Sequence, residues 1–132
     1  MKKIITTIAM LLLAVPAFAI DQTMTLDFSW DQASVDLPNL KEWGLYVTTT
    51  SGGSKPTPIV VPYTSGTGPF LASRDFTVTG LPGTTVRRFF VLDAVSKNGN
   101  RSAISNEVFW DFVIPFSDVT TPMTLKVKAI VK

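Results

Sequence analysis

Met24-Thr25-Leu26-Asp27-Phe28-Ser29-Trp30 alternates apolar and polar side chains without a break. Successive side chains of an extended strand point to opposite sides. Met24, Leu26, Phe28 and Trp30 therefore share one face, and Thr25, Asp27 and Ser29 share the other. A strand written this way buries one face and wets the other, the pattern of an antiparallel sheet packed on one side.

Outward from this stretch the chain keeps the same style. Residues 31–42 read as a loop holding Asp31, Asp36 and Pro38, and Trp43 to Thr50 as a second strand. In that strand Trp43, Leu45 and Val47 face inward and Tyr46 and Thr48 outward. Ser51-Gly52-Gly53-Ser54 turns the chain. Ile59-Val60-Val61 lies between Pro58 and Pro62, which marks an edge strand because proline donates nothing to a ladder. After a loop over 65–69, Phe76-Thr77-Val78 forms a short strand ending at Leu81-Pro82-Gly83. Arg88 to Val95 is the strongest strand: Phe90, Leu92 and Ala94 make one face, and Phe89, Val91 and Val95 leave the other partly apolar too. Lys97-Asn98-Gly99-Asn100 reads as a hairpin turn, since Asn-Gly supplies the positive φ angles of a tight turn. Glu107 to Ile114 returns as its partner. Turn signals recur at roughly 8–12-residue spacing, as in β-sandwiches. No stretch after residue 20 has a sustained helical period.

The N-terminus reads as an export signal over residues 1–19. Lys2 and Lys3 precede an apolar run from Ile4 to Val15, and Ala17-Phe18-Ala19 places small residues where a signal peptidase cuts. The apolar run is too short for a lasting membrane anchor. The expected mature protein begins at Ile20, is extracellular or periplasmic, and comprises a domain over 20–115 followed by a linker and C-terminal strand over 116–132. The 12 basic residues fall to 10 without Lys2 and Lys3, matching the 10 acidic ones. A neutral mature chain gives no reason to expect nucleic acid or anionic membrane as a partner. With no Cys, neither disulfides nor a lipid anchor is available.

Catalysis is not expected. The chain has no His and no Cys, so histidine-activated nucleophiles and the usual zinc ligands are missing. No cofactor or metal site is expected. Asp27, Asp31 and Asp36 fit solvated turn and edge positions. Arg87 and Arg88 fit an exposed edge or stems packed over Phe rings. Tyr46 and Tyr63 offer only a weak case for a carbohydrate-stacking surface. Val108, Trp110 and Phe112 alternate with Phe109, Asp111 and Val113, so both faces of that strand are apolar. One of them requires cover from a partner or from later residues of the chain.

Three segments resemble the fibronectin type III family, particularly its bacterial and phage-type members, over about residues 23–114. Met24 to Trp30 resembles the family's second strand, whose Trp anchors the core. Leu81-Pro82-Gly83 resembles the corner between its fifth and sixth strands. The stretch from Ala94 to Val108, including Gly99-Asn100 and Ser105-Asn106-Glu107-Val108, resembles its last hairpin. The family's corner tyrosine is replaced here, with Arg88 or Val86 at its place, and Leu45 stands where a Tyr is common. Only Ile20, Asp21 and Gln22 precede the second strand, so the first is missing from its usual position. Thr121-Pro122-Met123-Thr124-Leu125-Lys126-Val127 resembles that first strand.

The resemblance implies an all-β, immunoglobulin-like fibronectin type III sandwich of about seven strands, the first supplied by the C-terminal segment. Residues 123–131 alternate well, with Leu125, Val127 and Ala129 opposite Lys126, Lys128 and Ile130. They would dock within their own chain, which the short linker makes the easier route, or be donated to a neighbour. The implied function is a secreted, non-catalytic binding or structural module. It would meet a protein or glycan ligand through sheet edges or through loops 31–42 and 96–102, which share one end in this family. The contact candidates are Asp31, Asp36, Lys97, Asn98, Asn100 and Arg101. Alternatives are a homo-oligomer that polymerises by strand donation and an accessory module of carbohydrate-active proteins.

Overall fold

The computed structural model describes residues 18–116. The apolar run of the expected export signal and the strand expected over 123–131 lie outside the described residues. Six strands occur within them: β1 Ile20–Trp30, β2 Leu40–Thr48, β3 Ile59–Pro62, β4 Phe70–Gly80, β5 Thr85–Ser96 and β6 Val108–Val113. They form two antiparallel sheets, one of β1 and β4 and one in the order β3-β2-β5-β6. β1 and β4 pair along their full length, from Ile20 opposite Gly80 to Trp30 opposite Phe70.

The sheets face each other across a continuous apolar layer, so the chain is a β-sandwich. Leu26 and Val78 meet Leu45, Phe90, Phe112 and Ile114 in the middle of the layer. Phe28 and Phe76 each lie 5.2 Å from Phe90, ring centre to ring centre. Toward the Trp30 end a second cluster holds Leu37, Leu40, Trp43, Val61 and Ala72 with Trp30, Tyr63 and Phe70 packed against it. Trp43 is the hub of its rings, 4.7 Å from Phe70 and 5.1 Å from Trp30.

Several boundaries move from the sequence expectation. β1 begins at Ile20 rather than Met24, because Thr23 and Thr25 pair with Thr77 and Asp75 on the wet face. β4 begins at Phe70, six residues before the expected Phe76. Arg74 breaks its apolar alternation: it lies on the inward-facing series with Ala72 and Phe76, half-buried, and turns its guanidinium back to the Ser73 carbonyl. The loop over 31–42 contains a short 3-10 helix, Ser34–Asn39. Pro38 interrupts any longer helix, while buried Leu37 pins this one to the second cluster. β3 is an edge strand, as its flanking prolines require.

The turns obey local chemistry. Pro82 and Gly83 occupy the centre of a turn closed by a bond from the Thr84 N–H to the Leu81 carbonyl. Gly83 has φ of 79°, as the third position of a type II turn demands. After β5 the Gly99 N–H bonds the Ser96 carbonyl at 2.9 Å. Gly99 alone takes a positive φ there, 84°, so Asn98 does not supply the positive φ expected of it.

Regular pairing with β5 starts only at Val108. Before it, Ser102 and Ser105 use their hydroxyls as ladder acceptors for the N–H groups of Ala94 and Leu92, each at 2.9 Å. Ser105→Ala leaves the Leu92 donor without that partner. The variant should lose about 1 kcal/mol, read as a lower urea midpoint at unchanged slope.

The strand directions define two ends. Trp30, Phe70 and Ser96 lie at one, the loop end. Ile20, Gly80, Thr85 and Val113 lie at the other. The chain leaves β6 at this second end. Ile114 exchanges backbone bonds with Gly83 and Thr84, and the Phe116 ring sits over Gly83.

Candidate functional site

The loop end brings the two expected contact loops together. The Lys97 ammonium donates to the Pro38 carbonyl at 2.7 Å, and the Lys97 N–H to the Asn39 carbonyl at 2.8 Å. Gln32 links the loop to the core: its amide donates to Asp36 and its oxygen accepts the Trp43 indole N–H, each at 3.1 Å. Gln32, Asp36, Asn39, Asn100 and Arg101 line one shallow pocket, together with Leu40 and Ala94. Asn98 is exposed on the turn. Asp31 stands apart, close to Gly68 on the neighbouring loop. Asp27 accepts the Ser73 hydroxyl instead. Among the described residues no three carboxylates gather as a cation site would need.

Arg101 has a role not anticipated from the sequence. Its Nη1 donates to both Asp93 oxygens at 3.0 Å and to the Tyr46 hydroxyl at 2.8 Å. Tyr46 in turn donates to Asp93 at 3.1 Å. Asp93 is 6 % exposed and Tyr46 7 %. Burial pushes the Tyr46 phenol up, and its bond to the Asp93 carboxylate adds to the shift. The sequence signal was Asp93 itself, a lone carboxylate inside the apolar run from Phe89 to Val95. Tyr46 and Thr48 do lie on the outer face of their sheet, but both are buried. Tyr46 is thus no stacking platform. Tyr63 is half-buried, packed edge-on against Trp43 and Phe70.

A second feature lies along β1. Its far edge has no strand partner among the described residues, and β6 pairs only with β5. Between these two edges runs an apolar groove lined by Met24, Leu26 and Phe28, by Phe90, and by Val108 and Trp110. Val108, Trp110 and Phe112 share the inward face of β6. Phe112 is fully buried, yet Val108 and Trp110 are each 47 % exposed. The physical reason is the mismatch of the sheets: the two-stranded sheet stops at β1 while the four-stranded sheet runs on to β6. Met24 reaches toward β6, its sulfur 3.2 Å from the Trp110 indole nitrogen.

The outer face of β6 is covered differently. Arg87 pairs with Asp111 through two bonds of 2.6 and 2.7 Å and lies 4.0 Å over the Phe109 ring. This pairing holds the Asp111 carboxyl below its ordinary range. Glu107 accepts the Gly52 N–H at 2.8 Å and the Ser51 hydroxyl, which lowers its pKa as well. Both groups have folded pKa values below the unfolded ones. Their contribution is therefore complete above about pH 4.3, the unfolded Glu value. It is lost as acidification passes through the depressed folded values. Thermal midpoints measured across the acid range should fall in that window, and less steeply in Glu107→Gln.

No protein-family model, curated protein or solved structure matches this chain, so its function is read from the sandwich and its open groove.

Proposed function

We propose that the chain is an exported, non-catalytic binding and structural module: a sandwich of the fibronectin type III kind whose first strand comes from its C-terminal segment, residues 123–131. The groove between β1 and β6 is the observation that carries this reading. A strand added to the free edge of β1 would lengthen the smaller sheet and lie over Val108 and Trp110. A strand added to β6 would extend the larger sheet and leave both uncovered. Residues 123–131 suit the first placement. With Leu125, Val127 and Ala129 turned to the groove, Lys126 and Lys128 fall on the wet face, and a register that sets Lys126 opposite Asp27 gains from the attraction of opposite charges on neighbouring strands. The loop end, with its shallow pocket, remains the surface for a protein or glycan ligand.

Hydrogen exchange on the chain from Ile20 to Lys132 tests the reading. Amides in the middle of β1 should be protected, and Val127→Asp should remove that protection by placing a carboxylate against Val108 and Trp110. Equal exchange in the two proteins would overturn it.

A further inference from the structure

We infer that the strand is supplied in trans: the C-terminal segment of each copy docks antiparallel to β1 of the next copy, building a head-to-tail filament. This rests on the strand-completion reading above and adds to it the source, the direction and the consequence.

Direction follows from the edge that receives the strand. Every ladder among the described residues is antiparallel, and antiparallel pairing is slightly the more stable per residue. A segment antiparallel to β1 enters at the Trp30 end and finishes at the Ile20 end.

Source follows from where the chain leaves the sandwich. Ile114 is bonded to Gly83 and Thr84, and Phe116 sits over Gly83. The departure point is thus at the Ile20 end, opposite to the point of entry. β1 has 11 residues and spans roughly 35 Å at strand rise. Residues 117–122 separate Phe116 from the start of the segment. Fully extended, the seven steps from 116 to 123 reach about 25 Å. That falls short of the length of β1, before any allowance for passing around β6. A copy stacked end on end presents its loop end, where its β1 finishes, directly to the departing segment. The linker then has only the junction to cross.

Two of the other edges, those of β3 and β4, are guarded, and β1 is not. β3 is flanked by Pro58 and Pro62, which deny a partner its donors. β4 carries half-buried Arg74 on its inward-facing series, one of the devices that block edge pairing. β1 has neither: its inward series, Ile20, Gln22, Met24, Leu26, Phe28 and Trp30, holds no proline and no charge. Donor and acceptor surfaces lie at different places on the same chain, so the contact is heterologous. Such contacts propagate unless the rotation closes a ring.

Light scattering coupled to size exclusion, on Ile20–Lys132 across a wide concentration range, reads the outcome. The inference expects a series of masses several times that of one chain, growing with concentration. Val127→Asp, which spoils donation and keeps the acceptor, should run as a monomer. Added to the parent protein in increasing ratio, it should shorten the oligomers by occupying the free donor strands and offering none of its own. A parent monomer at every concentration, with β1 amides protected and that protection lost in Val127→Asp, would overturn donation in trans while leaving strand completion standing. A monomer whose β1 exchange ignores Val127→Asp would sink both. Oligomers that persist in Val127→Asp would show that another surface holds the copies together and would overturn this inference.

Discussion

Phe112→Ala is expected to remove about 3–5 kcal/mol of stability, the largest effect of any single truncation considered. Phe112 is fully buried and packs in the layer shared by Leu26, Val78, Leu45 and Phe90. Its neighbours sit on paired strands, which have little freedom to collapse into the space left behind, so lost transfer energy and cavity cost add. A domain of this size has only about 5–15 kcal/mol in total. The variant should therefore show a strongly lowered urea midpoint or fail to fold. Phe109, three residues before it on the same strand, supplies the control. It is 55 % exposed, and Phe109→Ala should change stability by no more than about 1 kcal/mol, mainly through the guanidinium of Arg87 that rests on it. Equal losses in the two variants would contradict the assignment of faces in β6.

Arg101→Ala is expected to lower stability by less than the loss of a partner from a fully buried pair would. Removing one member of a fully buried pair costs about 3–5 kcal/mol, because the remaining charge is stranded. Here the Asp93 side chain is 5 % exposed but that of Arg101 is 45 % exposed, so water entering the vacated space recovers part of the loss. Tyr46 still donates to Asp93 in the variant. Asp93→Asn combined with Arg101→Ala should lose less than the two single changes added together, since the stranded charge is gone. Chemical denaturation of the four proteins gives the coupling directly, and strict additivity would dismiss the network. The site has no room to substitute a neighbour: a Cβ built on Gly44 would lie 2.7 Å from an Asp93 oxygen and 3.1 Å from Pro58. Gly44→Ala would push the carboxylate out of reach of its partners.

Both cases bear on how far the chain could be read unaided. The two-layer all-β character was legible because period-two alternation is local: Met24 to Trp30 declares its faces without reference to any other strand. The edge position of β3 was legible for the same reason, from Pro58 and Pro62. The first half of β4 was not, because Arg74 breaks the alternation and its position becomes intelligible only when β4 proves to be an edge strand, from which a long side chain can reach water. The turn after β5 was placed correctly, but Asn98 does not take the positive φ expected of it, since the same Asn-Gly pair serves more than one loop geometry.

The candidate sites divide along the same line. Loops 31–42 and 96–102 were expected at one end, and they meet there through Lys97, Pro38 and Asn39. Arg101 was expected to contact a ligand, whereas its guanidinium is committed to Asp93 and Tyr46. The doubly apolar character of β6 was visible in the spelling of Val108 to Val113, although nothing in that spelling says which face is covered.

By itself the sequence determined which residues are extended, which side chains share a face, and where glycine and proline turn or end a strand, because each is set by neighbours a few residues away. Only the tertiary structure decided that Asp93 lies buried against Arg101 and that Val108 and Trp110 stand uncovered beside β1. Burial depends on which strands from distant parts of the chain come to lie against one another, and a face known to be apolar is buried only where the opposite sheet is wide enough to reach it.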